Sequence, residues 1–263
     1  MTTINLNFKT NTMNRIFSLL IISSIILSCH SKKEETTEPA EIAEPETEMD
    51  VVQLTEQQKT DGWKLLFDGK TTDGWRFFKD KPNNSWEVID GTLHCKPVAE
   101  DKGNQRADIM PKEQYENFEL AFDWKIAPQG NSGVMFRVTE DHNEPYFSGP
   151  EYQAVDDIGY PGKMEDNQRS GANYAMHAPT NGTANPVGQW NQSKIVVNGN
   201  HVEHWLNGAK VVEYELQSDE WKKLKAAGKW KDEAGYGAAK KGYIAFQDHS
   251  SEVWFRNIMV KVL

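Results

Sequence analysis

The chain has 263 residues, a formal charge of −10 at pH 7 and a pI near 5.2. This acidic balance argues against a nucleic acid partner, because binding to phosphates needs a basic surface. Nine Trp, eight Tyr and eleven Phe are many for this length. Aromatic side chains favour strands, fill sandwich cores and can stack on sugar rings.

The first 28 residues predict a signal peptide. An apolar run over residues 16–27 follows Arg15, and about twelve residues are too few for a membrane span but suit a signal-peptide core. The letters ILSC, which end at Cys29, resemble the lipobox of bacterial lipoproteins and imply lipid attachment to Cys29 after cleavage. A plain signal peptide and a membrane anchor are the alternatives. Met13 is a good start residue for this signal, and translation from Met13 would leave out residues 1–12.

Residues 29–54 predict a flexible acidic tether. Glu, Thr and Pro dominate this segment and aromatic residues are absent, so it cannot bury enough apolar surface to fold. Lipidation of Cys29 leaves Cys95 as a single thiol, which excludes an internal disulfide. We therefore expect an exported protein of the bacterial cell envelope, bound to a membrane by its lipid and facing the periplasm or the cell surface.

Residues 55–263 contain no stretch of linker composition and predict one domain. The letters LTEQQKTDG indicate a short capped helical turn, and clean alternation predicts strands over residues 118–126 and 132–138. Asn-Gly pairs at residues 198–199 and 207–208 predict two hairpins. One short helix is predicted near residues 219–227, capped by Ser218. Many short strands with little helix predict an all-β, jelly-roll sandwich whose curved outer face forms a concave groove.

Polar side chains occupy the non-core face of four predicted strands. Strand side chains alternate with period two, so the inward residues of a strand also identify its outward ones. Inward Tyr152 and Ala154, for example, turn Glu151 and Gln153 outward. Applied to all four strands, the alternation predicts an outward set of Asp123, Arg137, Glu151, Gln153, Gln247 and His249.

This outward set predicts a groove for a polyhydroxylated ligand. Carboxylates and amides hydrogen-bond sugar hydroxyls, and aromatic rings stack on the C–H face of a sugar. An ordinary solvated face is the alternative, although such faces carry loose mixtures of Lys, Glu and Thr. Asn131, Asp156, Tyr174 and Trp205 are further candidates for substrate binding. Packing is the alternative role for Trp205, and a turn acceptor is the alternative role for Asp156.

Six stretches in order resemble the 3-keto-disaccharide hydrolase family, formerly a domain of unknown function. They are FELAFDWKI, GNSGVMFRV, SGPEYQAVDD, GQWN, HWLNG and IAFQDHSSEVWFRNI. The resemblance spans residues 62–263 and implies a concanavalin A-like sandwich that acts on 3-keto-glycosides, often in exported lipoproteins. QDHSS stands where the family usually has QDHG, and GQWN stands where Glu often precedes Trp. Both departures concern loop geometry.

Conventional glycosidases use two carboxyl groups, about 5–5.5 Å apart in retaining enzymes and about 6.5–9.5 Å apart in inverting ones. Sandwich glucanases that resemble this fold carry both catalytic Glu residues on one strand. On the predicted strand of Glu151, the same face offers no second carboxylate until Asp157. The usual pair is therefore not expected on this strand, and another strand would have to supply the partner.

A 3-keto sugar removes the need for that pair. The ketone at C3 acidifies the hydrogen at C2, and the glycosidic oxygen at C1 is then β to the carbanion. A base can remove the C2 proton, the enolate can expel the leaving group, and water can add back at C1. This route needs a positioned base, a cation or donor for the enolate, and an acid for the leaving oxygen.

We assign the base and acid roles to His249 and Glu151, and the binding of the enolate oxygen or of a substrate hydroxyl to Arg137. Pairing of Arg137 with a carboxylate on a neighbouring strand is its alternative role. No cofactor is assigned. A divalent metal is the alternative electrophile, with Glu151, Asp156 and His249 as candidate ligands.

Two other functions fit the same sequence. The first is a non-catalytic carbohydrate-binding sandwich on a lipid tether, because this kind of fold hosts lectins as readily as enzymes. The second is a conventional glucanase-like glycosidase. The titratable side chains of the outward set favour an enzyme, since pure binding proteins rely more on aromatic and amide side chains.

Overall fold

The computed structural model of the protein describes residues 53–98 and 105–263. The predicted signal peptide, the predicted lipidation site Cys29 and nearly all of the predicted tether lie outside these residues. Cys95 is a buried free thiol. Within the described ranges, no helix is long and apolar enough to cross a membrane.

Strands make up nearly all of the regular structure of the described residues, as the alternating hydrophobic pattern predicts. In chain order the strands are β1 (Trp63–Leu65), β2 (Trp75–Phe77), β3 (Trp86–Ile89), β4 (Thr92–Cys95), β5 (Ile109–Pro111), β6 (Gln114–Tyr115), β7 (Phe118–Ile126), β8 (Asn131–Val138), β9 (Glu151–Val155), β10 (Asn191–Asn198), β11 (His201–Leu206), β12 (Ala209–Glu215), β13 (Gly242–Phe246) and β14 (Val253–Val262).

These strands form two antiparallel sheets, which confirms the predicted β-sandwich. The larger sheet has the order β12-β11-β10-β7-β14-β4-β3, with β1 also paired to β14. The smaller sheet has the order β2-β5-β13-β8-β9, with β6 also paired to β13. Each sheet therefore has an inner face that packs on the other sheet and an outer face of its own.

Two tight turns connect β10, β11 and β12, as the two Asn-Gly pairs predict. In the first turn Gly199 has a φ of 61°, and in the second Asn207 and Gly208 have φ values of 48° and 84°. Positive φ at these positions matches the right-handed twist of the flanking strands, and Gly and Asn adopt it at little cost. Strands β10 to β12 consequently form one edge of the larger sheet.

Aromatic rings from both sheets meet in the core. Phe122 of β7 lies 5.5 Å from Tyr152 of β9 and 6.0 Å from Phe246 of β13, between ring centroids. Phe255 of β14 approaches Phe246 at 5.0 Å, edge to face. Such pairs contribute about 0.5–1.5 kcal/mol each beyond the burial of their area. Because Tyr152 points inward, its neighbours along β9 must point to the outer face of the smaller sheet.

Both predicted helical segments are present. Helix α1 (Glu56–Thr60) begins after Thr55, whose hydroxyl accepts from the Gln58 N–H while the Gln58 side chain accepts from the Thr55 N–H. This reciprocal capping box satisfies two backbone donors that a helix start leaves unpaired. Helix α2 (Asp219–Ala227) is capped by Ser218, as predicted, and it buries Trp221.

Candidate active site

A pocket of about 280 Å³ opens on the outer face of the smaller sheet. One side is built from strand residues and the turn after β13, and the other side is built from loops. All of the lining side chains can hydrogen-bond, and two Tyr and one Trp among them also offer aromatic surface. The lining residues are Asn131, Tyr146, Glu151, Gln153, Tyr174, Lys229, Trp230, Gln247 and His249.

Strand β9 brings two polar side chains to the floor of the pocket. Glu151 and Gln153 alternate with the core residues Tyr152 and Ala154, so both turn away from the larger sheet. Gly133 of β8 pairs with Gln153, and a Cβ at Gly133 would overlap the Glu151 carboxyl group. A glycine at this position therefore leaves the space in which the Glu151 side chain lies.

Amide groups form a second part of the floor. The Gln153 Nε2 donates to Asn131 Oδ1 at 3.1 Å, and the Asn131 Nδ2 donates to the Tyr160 hydroxyl at 3.5 Å. These contacts hold the two amides in one orientation relative to each other. Preorganised amides of this kind suit recognition of sugar hydroxyls, since their geometry need not be formed when the ligand binds.

The turn after β13 supplies Gln247 and His249. The Gln247 N–H donates to Gly133 O at 2.9 Å, and the Ser132 hydroxyl donates to Gln247 O at 2.8 Å. These bonds fix the Gln247 backbone to β8. His249 comes two residues later and lines the pocket from an exposed position.

Three loops supply an aromatic and cationic wall. The Lys229 ammonium group lies 4.4 Å from the ring centroid of Tyr174 and 4.7 Å from that of Trp230. The Trp230 Nε1 donates to Tyr174 O at 3.1 Å, and the Tyr146 ring lies 6.4 Å from the Trp230 ring. This wall therefore joins a positive charge to aromatic surface in the pocket that also holds the carboxyl and amide groups.

The environment changes the protonation of two side chains of the pocket, Glu151 and His249. Desolvation, with a smaller contribution from the charge of Asp108, raises the pKa of Glu151 from 4.5 to about 8, although Lys229 and Gln247 pull it down. Desolvation, aided by the Lys229 charge, lowers the pKa of His249 below its ordinary 6.5. At pH 7 Glu151 is consequently a neutral acid, and His249 is a neutral imidazole that can accept a proton.

The chain matches a family described as the 3-keto-alpha-glucoside-1,2-lyase-like domain, over residues 62–261. A Bacteroides thetaiotaomicron protein named 3-keto-disaccharide hydrolase is 32% identical in an alignment that covers 95% of this chain and all of the relative. The chain belongs to the 3-keto-α-glucoside-1,2-lyase-like family.

Solved structures agree with this family membership. A crystal structure from Parabacteroides distasonis, described as a "putative glycosyl hydrolase", is 40% identical and superposes with a TM-score of 0.74. The match covers 80% of this chain and 98% of that one. A second structure from the same organism with the same description is 28% identical with a TM-score of 0.59, and the match covers 76% of this chain and 99% of that one. The family and the sandwich fold expected from the resemblance are thus both confirmed.

The structure brings together six of the ten side chains that the sequence predicted for catalysis or substrate binding. They share the pocket described above, and their roles there stay predictions. The six residues are Asn131, Glu151, Gln153, Tyr174, Gln247 and His249.

Arg137 does not reach this pocket, which corrects its predicted place. Arg137 has a φ of 53°, and the pairing of β8 with β13 shifts register here. A bulge adds a residue to one strand and so breaks the alternation. Val138 consequently packs with Met135 on the outer face, and Arg137 Nη2 donates instead to the backbone oxygens of Glu116 and Gly199.

Asp123 and Trp205 also lie away from the pocket, because their strands belong to the larger sheet. Asp123 Oδ2 accepts from the Arg256 Nε at 3.3 Å and from the Asn257 Nδ2 at 2.7 Å. The Lys194 ammonium group covers the Trp205 ring at 4.6 Å. The alternation correctly predicted that Asp123 points outward. It does not indicate to which of the two sheets that outer face belongs.

Asp156 is a loop acceptor and does not line the pocket. Its carboxylate accepts the N–H groups of Gln129, Ile158 and Gly159 at 2.8–3.1 Å. Desolvation raises its pKa, but these backbone hydrogen bonds outweigh that effect and the net shift is downward. The predicted metal ligands Glu151, Asp156 and His249 are therefore not brought together as a set.

Among the described residues, the group of side chains whose arrangement suits a metal ion lies outside the pocket. Among residues 53–98 and 105–263, the ligand atoms of His201, Glu203 and Glu213 lie within 4.8 Å of one another. Lys210 forms ion pairs with both of these Glu side chains, at 3.2 and 2.6 Å. The amine thus already supplies the positive charge that a metal ion would bring to this group.

Sequence reasoning missed Tyr146, Lys229 and Trp230. All three belong to segments outside the strands, where no periodic pattern reports the direction of a side chain. The letters GKWK around Lys229 and Trp230 place a cation next to an aromatic residue in a loop after α2. That combination is the one local signal that could have drawn attention to the segment, and it does not indicate which face of the sandwich the loop covers.

Proposed function

We propose that this protein cleaves 3-keto-glycosides at the anomeric C–O bond by elimination and then addition of water. The curated relative is named 3-keto-disaccharide hydrolase and the family is described as lyase-like. The observation that carries the proposal is that Glu151 and His249 line one pocket, in which burial raises the pKa of the carboxyl group and lowers the pKa of the imidazole.

Each pocket group suits one step of this reaction. The His249 imidazole removes the C2 proton, and the electron pair delocalises onto the C3 oxygen. The Lys229 ammonium group, which lies on the aromatic wall, stabilises the enolate in place of the predicted Arg137. The enolate then expels the C1 oxygen, which takes the proton of Glu151, and a C1=C2 double bond conjugated to the ketone remains.

Addition of water completes the reaction. Water attacks C1 of the conjugated ketone, and Glu151, now ionised, accepts a proton from it. The protonated His249 returns a proton to C2. The balance is one glycoside and one water converted to a free 3-keto sugar and an alcohol, with both side chains restored to their starting protonation.

The pocket does not support a conventional two-carboxylate mechanism. Within the described part of the chain, Glu151 is the one carboxyl group among the lining residues. Asp108 influences its pKa, but the Asp108 Oδ1 is engaged by the Asp248 N–H at 2.8 Å and Asp108 does not line the pocket. Conventional glycosidases need a pair of carboxyl groups, one on each side of the bond that breaks.

A substrate comparison tests the proposal. Purified protein is incubated with a glucoside and with its 3-keto form, with and without a chelator, in D₂O. We expect turnover of the keto form alone, insensitive to the chelator, with deuterium incorporated at C2 of the released sugar. Equal turnover of the plain glucoside without deuterium at C2 would identify a conventional glycosidase. Binding without turnover would identify a carbohydrate-binding protein, which the aromatic wall also fits.

We also infer that Cys29 carries a lipid that holds the protein in the bacterial cell envelope. The lipobox-like letters before Cys29 support this inference. Metabolic labelling with a fatty acid should tag the wild-type chain and not the Cys29→Ser variant. Equal labelling of both chains would remove the inference, and it would leave the proposed reaction untouched because the pocket lies within residues 131–249.

A further inference from the structure

The turn from Gln247 to Ser250 carries the proposed base and is held by one buried carboxylate. The Asp248 side chain is 1% exposed, and its Oδ1 accepts from Arg106 Nε at 2.9 Å and from Arg106 Nη2 at 2.6 Å. The Ser250 N–H adds a third bond to Oδ1 at 3.0 Å, and the Ser85 hydroxyl donates to Oδ2 at 2.6 Å. Four donors from three parts of the chain thus hold one side chain.

The backbone of the same turn is held as well as the Asp248 side chain. The Asp248 N–H donates to Asp108 Oδ1 at 2.8 Å, and the Asp108 O accepts from the Phe78 N–H at 2.9 Å. Asp108 directly precedes β5 and Arg106 lies two residues earlier. The segment that leads into β5 therefore anchors both the side chain and the main chain of Asp248.

His249 depends on this anchoring for its position. Within the described part of the chain, no other residue hydrogen-bonds the His249 imidazole, so the backbone of the turn must set where the ring lies. Proteins usually orient a catalytic imidazole through a direct hydrogen bond to its second nitrogen. Here the orienting contacts lie one residue earlier in the chain.

We infer that Asp248 is a positioning residue for His249, which it holds in register with Glu151 across the pocket. The inference rests on the proposed function, since it takes His249 as the base. Misplacement of a reacting group by about 1 Å can cost about 100-fold in rate. Asp248 thus acts through His249 and is not itself a catalytic residue.

The first experiment combines Asp248→Asn with His249→Ala and measures kcat and KM for a 3-keto-glucoside. Asn keeps the shape of Asp248 and one oxygen acceptor. We expect kcat to fall about 30–100-fold in the wild-type background, with KM changed less than about 3-fold. In the His249→Ala background, the same substitution should cost less than about 2-fold, because residues that act as a unit are not additive.

Matched variants separate positioning from general damage. Glu119→Gln removes a carboxylate that pairs with Lys261 at 3.2 Å and with Lys194 at 3.9 Å on the outer face of the larger sheet, and it should leave kcat unchanged. Ser85→Ala deletes a single donor to Asp248 and should lower kcat about 3–10-fold. This milder variant decides the question if Asp248→Asn does not fold.

Two results would overturn the inference. One is an equal loss from Asp248→Asn in the wild-type and His249→Ala backgrounds, and the other is no loss at all. If wild-type protein does not turn over the keto-glucoside, the proposed function fails and a second readout decides. In that case the imidazole resonances of His249 are monitored by NMR: a shifted or exchange-broadened signal in Asp248→Asn supports positioning, and an unchanged signal refutes it.

Discussion

The outer faces of the two sheets carry similar polar residues, but these residues differ in whether they are paired with opposite charges. On the larger sheet, Asp123 is bonded by Arg256 and Asn257, and Glu119 pairs with Lys194 and Lys261. On the smaller sheet, Glu151 is buried with a pKa of about 8 and forms no ion pair with another described residue. Charged side chains that are paired with opposite charges indicate a structural face. A buried carboxylic acid without an ion pair, next to open space, indicates a functional site.

Aromatic side chains show the same contrast. On the outer face of the larger sheet, the Trp254 ring stacks on His94 at 5.0 Å and lies below the Lys125 ammonium at 4.3 Å. These groups occupy the ring faces that a sugar would need. In the pocket, Tyr146 and Tyr174 are half-buried and line open volume. Because Lys229 also lies over the Tyr174 ring, the feature that distinguishes the pocket aromatics from Trp254 is the open volume beside them.

The largest effect is expected for Glu151→Gln. Gln keeps the shape of the side chain but cannot protonate the leaving oxygen, so kcat for a 3-keto-glycoside should fall at least about 1,000-fold. Keto substrates with a leaving group of low pKa, such as a nitrophenol, need less acid assistance and should lose less. Wild-type rates in this variant would show that the pocket on the smaller sheet is not the catalytic face.

Lys229→Met should have the next largest effect on activity. The substitution keeps an apolar stem over Tyr174 but removes the charge, so we expect a loss of about 100-fold in kcat. Lys229→Arg keeps the charge and should recover much of that loss. If Met and Arg variants are equally active, the ammonium group does not stabilise the enolate, and another donor must do so.

Glu151 should also make the protein less stable as the pH rises. Its folded pKa of about 8 exceeds its ordinary 4.5, so between these values the folded state binds more protons than the unfolded state. Stability should therefore fall between pH 4.5 and pH 8, by about 5 kcal/mol from this group, and level off above pH 8. Glu151→Gln should lose this dependence and be more stable than wild type at pH 9.

Chemical unfolding at a series of pH values measures this effect. Glu119→Gln is the control, because its carboxylate is paired on the larger sheet. A Glu151→Gln variant that tracks the wild-type stability curve at every pH would show that the Glu151 carboxyl is not held in its neutral form. The assignment of Glu151 as the acid would then be lost.

A smaller loss is expected for Gly133→Ala. The added methyl group would overlap the Glu151 carboxyl, so the side chain must move and kcat should fall about 10-fold or more. The cost in stability should be about 1–3 kcal/mol, as for other overpacked sites. Activity equal to wild type would mean that the Glu151 side chain can take a second productive position.

The smallest effect is expected for Asp123→Asn. Asn keeps an oxygen for Arg256 and Asn257, so stability should fall by about 1 kcal/mol or less. Activity toward the keto-glycoside should match that of wild type, because Asp123 lies on the other sheet. A loss of more than about 10-fold in kcat with unchanged thermal stability would contradict the separation of the two faces.

Alternation along the strands predicted most of the fold and part of the site. The placement of Tyr152 in the core and of Glu151 and Gln153 on the outer face results from period two within a regular strand. The same rule failed at Arg137, because a bulge inserts a residue and reverses the face on which the next residues lie. Bulges depend on how the neighbouring strand pairs, and the residues of the bulged strand alone do not reveal them.

The sequence by itself determined the two hairpins, the helix caps and, for strands without a bulge, which side meets the core, since these depend on local propensity and periodicity. Only the tertiary structure decided which outer face each polar residue occupies, because sheet membership depends on pairing between distant strands. It also decided the neutral state of Glu151, which arises from burial and from the charge of Asp108, a residue far away in the chain, against the opposing charge of Lys229.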